Sequence, residues 1–100
     1  MRIVMFMEWD GVTPAQYDAA RDVVKWETDA APGGVLHVAT FTDKGLRVTD
    51  VWESAEDFQR FVQTRLMPGV RQVGIPGEPK VEVYPLHALF TPAFTAVGVG

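Results

Sequence analysis

The chain contains no cysteine and no asparagine, and only two histidines, His37 and His87, among its 100 residues. Without cysteine there is no disulfide, no thiolate nucleophile and no cysteine–zinc site. That absence fits a reducing compartment, and a cytoplasmic protein is expected. Positive charge is scarce as well: 9 Lys and Arg face 13 Asp and Glu, for a net charge of −4. The few basic residues are scattered rather than gathered into a stripe, so no phosphate-tracking surface is present. Neither nucleic acid nor an anionic membrane is therefore an expected partner. No apolar run is long enough to span a bilayer. The apolar run within residues 1–8 is too short for a signal segment and lacks a small-residue cleavage site. A glycine loop ending in Lys-Ser/Thr is missing, as is Gly-x-Ser-x-Gly, which removes phosphate-loop chemistry and the hydrolase elbow. Two distant histidines among scattered acids make a poor metal site. The reading thus assigns no metal and no cofactor.

What remains is 47% hydrophobic and 22% charged, the make-up of a globular domain rather than a disordered chain. The length suits one domain, taken as residues 1–90, with a small, glycine-ended tail over 91–100. A core this small gains from a partner subunit covering one face.

The stretch from Val48 to Val62 organises the rest. Val48, Val51 and Trp52 suit a largely buried strand. Ser54 follows as a helix cap, with Asp57 three residues on, where an acid complements a helix N-terminus. Phe58, Phe61, Val62 and Leu66 then lay an apolar stripe at helical spacing. This predicts a strand over 46–53 and a helix over 55–66, with Pro68 beyond its end. Upstream, the apolar run 3–7 predicts a strand covered on both faces. Thr13-Pro14-Ala15-Gln16 is a helix start with a capping box, and Ala31-Pro32-Gly33-Gly34 ends that segment. Residues 35–41 read as a strand, joined to the next by a tight turn at Thr42-Asp43-Lys44-Gly45. Residues 70–79 read as a loop. Residues 80–86 alternate as a half-exposed strand, with 87–90 as an extension of it.

The order is β-α-β-β-α-β. Right-handed crossovers then give an α+β, ferredoxin-like fold: a four-stranded antiparallel sheet with both helices on one face. The first strand is apolar on both sides, so something must cover the other face, and a symmetric partner is the simplest cover.

Gly11-Val12-Thr13-Pro14-x-Gln16-Tyr17 and Asp50-Val51-Trp52-Glu53-Ser54-x-Glu56-x-Phe58-x-x-Phe61 together resemble the dimeric α/β-barrel superfamily. In particular they resemble the small antibiotic-biosynthesis-monooxygenase-like proteins. The resemblance implies a homodimer of facing sheets, with a pocket in each subunit between sheet and helices. The family hosts cofactor-free oxygenation, haem degradation, isomerisation and simple ligand binding. Its haem-degrading members usually draw an iron-ligating histidine from the second helix; residues 58–66 contain none. Its oxygenases often place an asparagine on the first strand, and this chain departs from that pattern.

The candidate catalytic residues are His37, His87 and Asp50, because imidazole titrates near neutral pH and can move protons. Each histidine could equally be a satisfied, half-buried core residue. Asp50, between Val48 and Trp52 on one strand face, is costly to bury alone. A two-residue loop at Asp43-Lys44 would set His37 opposite Asp50 as an orienting pair. A bulge at Gly45 would shift the register by one and part them, and the turn chemistry favours the bulge. Tyr17, Phe41, Trp52, Phe58, Phe61 and Tyr84 are the candidate ligand-binding residues; with Trp9 and Trp26 they supply aromatic bulk suited to a flat apolar molecule. Their structural role is core packing. Arg65 fits carbonyl capping better than a ligand carboxylate.

Two functions follow. One is cofactor-independent oxygenation or rearrangement of a small hydrophobic, aromatic molecule. The other is a non-catalytic dimeric ligand-binding or accessory module; a purely structural dimer stands behind both. An enzyme should bring both imidazoles into one closed cavity. A binding module should show an apolar cavity without convergent polar groups.

Overall fold

The structure is a computed structural model, and it describes residues 1–94. Four strands form one antiparallel sheet: β1 (Ile3–Asp10), β2 (Gly34–Thr42), β3 (Gly45–Trp52) and β4 (Lys80–Pro85), in the order β2-β3-β1-β4. Helix α1 (Pro14–Val24) crosses between β1 and β2. A second helical stretch follows β3 as α2 (Ala55–Phe61), a π-helical turn (Val62–Leu66) and α3 (Met67–Val73). This is the expected ferredoxin-like α+β arrangement. Residues 95–100, the end of the expected tail, lie outside the described residues.

Side-chain alternation sorts the sheet into two faces. Ile3, Met5, Met7 and Trp9 point inward, 7%, 1%, 7% and 4% exposed. Their register partners Trp52, Asp50, Val48 and Leu46 share that face, and Phe58 and Val70 close the core from the helical side. On the other face Val4 is half-buried, while Phe6, Val38 and Tyr84 are 45%, 50% and 48% exposed. Among the described residues, the first strand is therefore covered on one side only.

The helix start at Thr13 forms as expected: its hydroxyl accepts from Gln16 N–H at 3.2 Å, and Gln16 Oε1 accepts from Thr13 N–H at 3.0 Å. The helix end does not fall at the Pro-Gly-Gly signal. It falls at Val24, because Lys25 adopts a left-handed φ of 66° and turns the chain back. Val24's orphan carbonyl accepts from the Arg65 guanidinium at 3.0 Å, and so does that of Asp29 at 2.6 Å. Arg65 thus caps a carbonyl, but that of α1 rather than of its own helix.

Pro68 does not stop the second helix, which continues to Val73, so residues 70–73 are helical rather than loop. Proline lacks an N–H and its ring crowds the carbonyl four residues back. The π-helical turn provides the room: Met67 N–H reaches Val62 O, five residues back. Gly69 lets α3 lie against α1, since a Cβ there would collide with Val24 Cγ2.

The hairpin corrects the expected bulge. Thr42 pairs with Gly45 and His37 with Asp50, so the loop is the two residues Asp43-Lys44. Gly45 is glycine for a different reason. Its φ is +136°, and a Cβ would lie 2.6 Å from Trp9 O and 2.7 Å from Gly11 N, where the end of β1 closes on the turn. Gly11 N–H also donates to Lys44 O at 2.8 Å, tying the two turns together.

Gly45→Ala is expected to lose about 3 kcal/mol or more, because backbone on both sides must move. Gly11→Ala, with φ +82° but nothing within 4 Å of the new methyl, should lose only the left-handed penalty of about 1–2 kcal/mol. Urea unfolding of the two variants checks the contrast.

Candidate functional site

Between the inner sheet face and the helices lies a cavity of about 270 Å³. Met5, Met7, Trp52, Phe58, Phe61 and Leu66 form much of its apolar wall, and Trp26, Ala30 and Gly34 also line it. Trp52 anchors the wall: its ring packs against Phe58 at 5.7 Å and Phe61 at 5.4 Å. Both phenylalanines reach it because Ser54 caps α2, accepting Asp57 N–H at 3.1 Å, and fixes where the apolar stripe begins.

One edge of the cavity is polar. The hairpin register puts His37 beside Asp50, and His37 Nδ1 lies 2.6 Å from Asp50 Oδ1. The other carboxylate oxygen, Oδ2, accepts from Trp52 Nε1 at 3.1 Å. Asp50 is 6% exposed, so a lone carboxylate there would be unstable; two donors fix it. An ionised carboxylate only accepts, so Nδ1 of His37 carries a proton, and in the neutral ring Nε2 is then the acceptor. Tyr17 Oη lies 2.8 Å from that Nε2, and the two ring planes are parallel to within 2°. The phenol then donates to the neutral imidazole. The result is a continuous chain: Tyr17 to His37 to Asp50, with Trp52 holding the far end. The His37 side chain keeps 36% of its surface exposed, so the chain runs from the buried sheet to the cavity's rim.

Tyr17 holds its proton more tightly than an ordinary phenol. Burial is the main cause, followed by the Glu27 carboxylate; Asp50 adds to it, while the indole of Trp26 and the charge of Arg21 act the other way.

The structure brings Tyr17, His37, Asp50, Trp52, Phe58 and Phe61 to one cavity. It leaves out three expected residues. His87 is exposed and away from the cavity. The sheet order sets two strands between β2, which carries His37, and β4, and Leu86 N–H already pairs with Arg2 O at 3.0 Å, carrying His87 past the end of β1. Tyr84 pairs with Val4 on the outward face, beside Phe6, and its hydroxyl donates to Glu82 at 2.5 Å. Phe41 points inward but sits behind Tyr17, their rings perpendicular at 6.2 Å, and braces it without lining the cavity. Sequence reading counts Trp26 in the aromatic bulk without singling it out for the site. It follows the left-handed Lys25, which returns the chain so that the indole packs edge-on against Tyr17 at 5.4 Å and His37 at 5.8 Å. No periodicity marks such a residue. Among the described residues, no group of three or more His, Asp or Glu stands ready to hold a metal ion.

The fold is shared with solved structures, two of them described as putative antibiotic biosynthesis monooxygenases from Nitrosomonas europaea and Deinococcus radiodurans. A solved structure of NE2512, a protein of unknown function from Nitrosomonas europaea, matches at 18% identity over 92% of this chain and 95% of that one, with a TM-score of 0.64. SnoaB, a cofactor-independent oxygenase from Streptomyces nogalater, matches at 15% identity, 88% and 93% coverage, TM-score 0.59. A monooxygenase from the gene ActVA-Orf6 of Streptomyces coelicolor, solved in complex with the ligand Nanaomycin D, matches at 14% identity, 92% coverage of each chain, TM-score 0.56. No family profile and no curated protein sequence matches. At these identities the likeness is one of fold. No helix among the described residues is long and apolar enough to cross a membrane.

Asp50→Ala should cost about 2–4 kcal/mol, because His37 and Trp52 both lose their acceptor; urea unfolding measures it. Tyr17 also sets a pH dependence. Its folded-state pKa lies above the unfolded value near 10. The stability it contributes is therefore complete below about pH 10. It drains away as pH climbs through the folded value. Tyr17→Phe should flatten that alkaline decline in stability measured across pH.

Proposed function

We propose that this protein is a cofactor-independent oxygenase-type enzyme acting on a small, flat, aromatic molecule held between sheet and helices. One observation carries the reading: a proton-accepting chain, Tyr17–His37–Asp50, opens onto an otherwise apolar cavity. Apolar walls exclude water and hold aromatic rings, while a single polar edge orients one reactive group. An imidazole backed by a buried carboxylate accepts a proton and keeps the resulting charge paired. Removing a proton from a ring CH2 flanked by a carbonyl leaves a carbanion delocalised over the rings. Dioxygen, the second substrate, reacts with such a carbanion directly. One oxygen atom becomes a ring carbonyl, the other leaves as water with the two hydrogens of the CH2, and the ligand supplies all four electrons. The oxygenases among the proteins of similar fold support the reaction class.

The working unit in this reading is a homodimer. The outward sheet face carries Phe6, Val38 and Tyr84, each about half exposed, and no other described residue covers them. Native mass spectrometry of the purified protein is expected to give the dimer mass, and Phe6→Glu to give monomers.

An oxygen electrode tests the chemistry, with anthrone as a tricyclic probe carrying an enolisable CH2. Oxygen uptake is expected with the native chain, falling by about 10²–10⁴-fold in His37→Ala. His87→Ala should be unaffected. Tight binding of the probe without oxygen uptake would instead favour a ligand-binding module.

A further inference from the structure

We propose that Tyr17, rather than His37, is the group that meets the ligand, and that Trp26 is the residue that positions Tyr17 and holds the negative charge its oxygen takes on. This deepens the reading above and rests on the hydrogen-bonded chain acting as a proton relay.

The first observation is one of valence. Both ring nitrogens of His37 are taken: Nδ1 by Asp50 at 2.6 Å and Nε2 by Tyr17 at 2.8 Å. His37 has no atom left for a ligand. Tyr17 does: its oxygen donates one hydrogen bond and keeps lone pairs free, and its ring lines the cavity.

The second observation is a donor without an acceptor. Trp26 Nε1 is sealed from solvent and makes no hydrogen bond. Buried donors are nearly always paired, and one left unmade costs about 1–3 kcal/mol. The indole also lines the cavity and meets the Tyr17 ring edge-on at 5.4 Å. The indole favours charge on the Tyr17 oxygen, though no hydrogen bond joins Trp26 Nε1 to it. A donor placed beside an oxygen, and under-used while that oxygen is neutral, strengthens as the oxygen becomes an anion.

The step follows. The Tyr17 O–H bond breaks and its proton passes to His37 Nε2, giving an imidazolium that Asp50 balances. The phenolate, held by Trp26 N–H, takes the ligand's proton, and the ligand keeps the electron pair of the broken bond. The other charges facing Tyr17 are Arg21 on its own helix, which assists the phenolate, and Glu27 in the following loop and Asp50 on β3, which oppose it.

The test needs no ligand. The chain has two tyrosines, and Tyr84 is exposed, so it serves as an internal reference. Labelling tyrosine with carbon-13 at Cζ lets each phenol be titrated separately by NMR. Trp26→Phe keeps an aromatic ring and removes the N–H. It is expected to raise the Tyr17 midpoint by about one pH unit, a tenfold drop in its ionisation constant, and to leave Tyr84 unmoved. An unchanged Tyr17 midpoint overturns the proposal. If the variant does not fold, the indole proton of Trp26 in the native chain gives the answer. It should move downfield along the Tyr17 titration, and a resonance stationary through that midpoint overturns the proposal. Neither readout depends on oxygen uptake, so a chain that shows these shifts but does not turn over anthrone would refute the oxygenase reading alone.

Discussion

The site depends on which residue of β2 faces which residue of β3. A sheet repeats every two residues, so a slip of one position would send His37 to the outward face and leave Asp50 buried with only Trp52 as a partner. The two-residue loop at Asp43-Lys44 prevents that slip. The loop is in turn fixed by the tight approach of Trp9 and Gly11 to Gly45, where no side chain fits. A contact at one end of the hairpin thus decides the chemistry available five residue pairs away, at the His37–Asp50 pair.

Much of the fold was legible in the chain. The capping box at Thr13 and the Ser54 cap are local chemistry, and both form where the residues indicate. The β-α-β-β-α-β order followed from periodicity and turn residues. The failures share a cause: each was settled by a contact between elements distant in sequence. Gly45 invites a bulge, whereas the contact that holds it in a plain two-residue loop comes from β1. Pro68 was read as a helix stop, but a π-helical turn absorbs it and α3 packs on through Gly69 against Val24. The end of α1 was assigned to Pro-Gly-Gly, yet Lys25 turns back earlier and Arg65, some 40 residues on, takes up the freed carbonyl at |i−j| = 41.

The same distinction governs the site residues. Trp52, Phe58 and Phe61 were predictable because strand and helix periods aim them at one another. His87 was grouped with His37 only by residue type, and strand order separates them. Trp26 carried no local signal at all. Its place against Tyr17 and His37 comes from a left-handed residue that sequence propensity disfavours at a lysine. The sheet itself shows a division of labour. Its inner face supplies the core and cavity, while its outer face keeps half-exposed aromatic and branched residues that no other described residue covers.

The account stands on a neutral His37 whose proton is held on Nδ1 by Asp50, leaving Nε2 to accept from Tyr17. Nitrogen-15 NMR of the imidazoles near neutral pH reads this directly. The account predicts that His37 shows a single Nδ1-protonated tautomer, with a strongly downfield, slowly exchanging Nδ1 proton. His87, exposed, should show the averaged signals of a free ring. An Nε2-protonated or freely averaging His37 would contradict it.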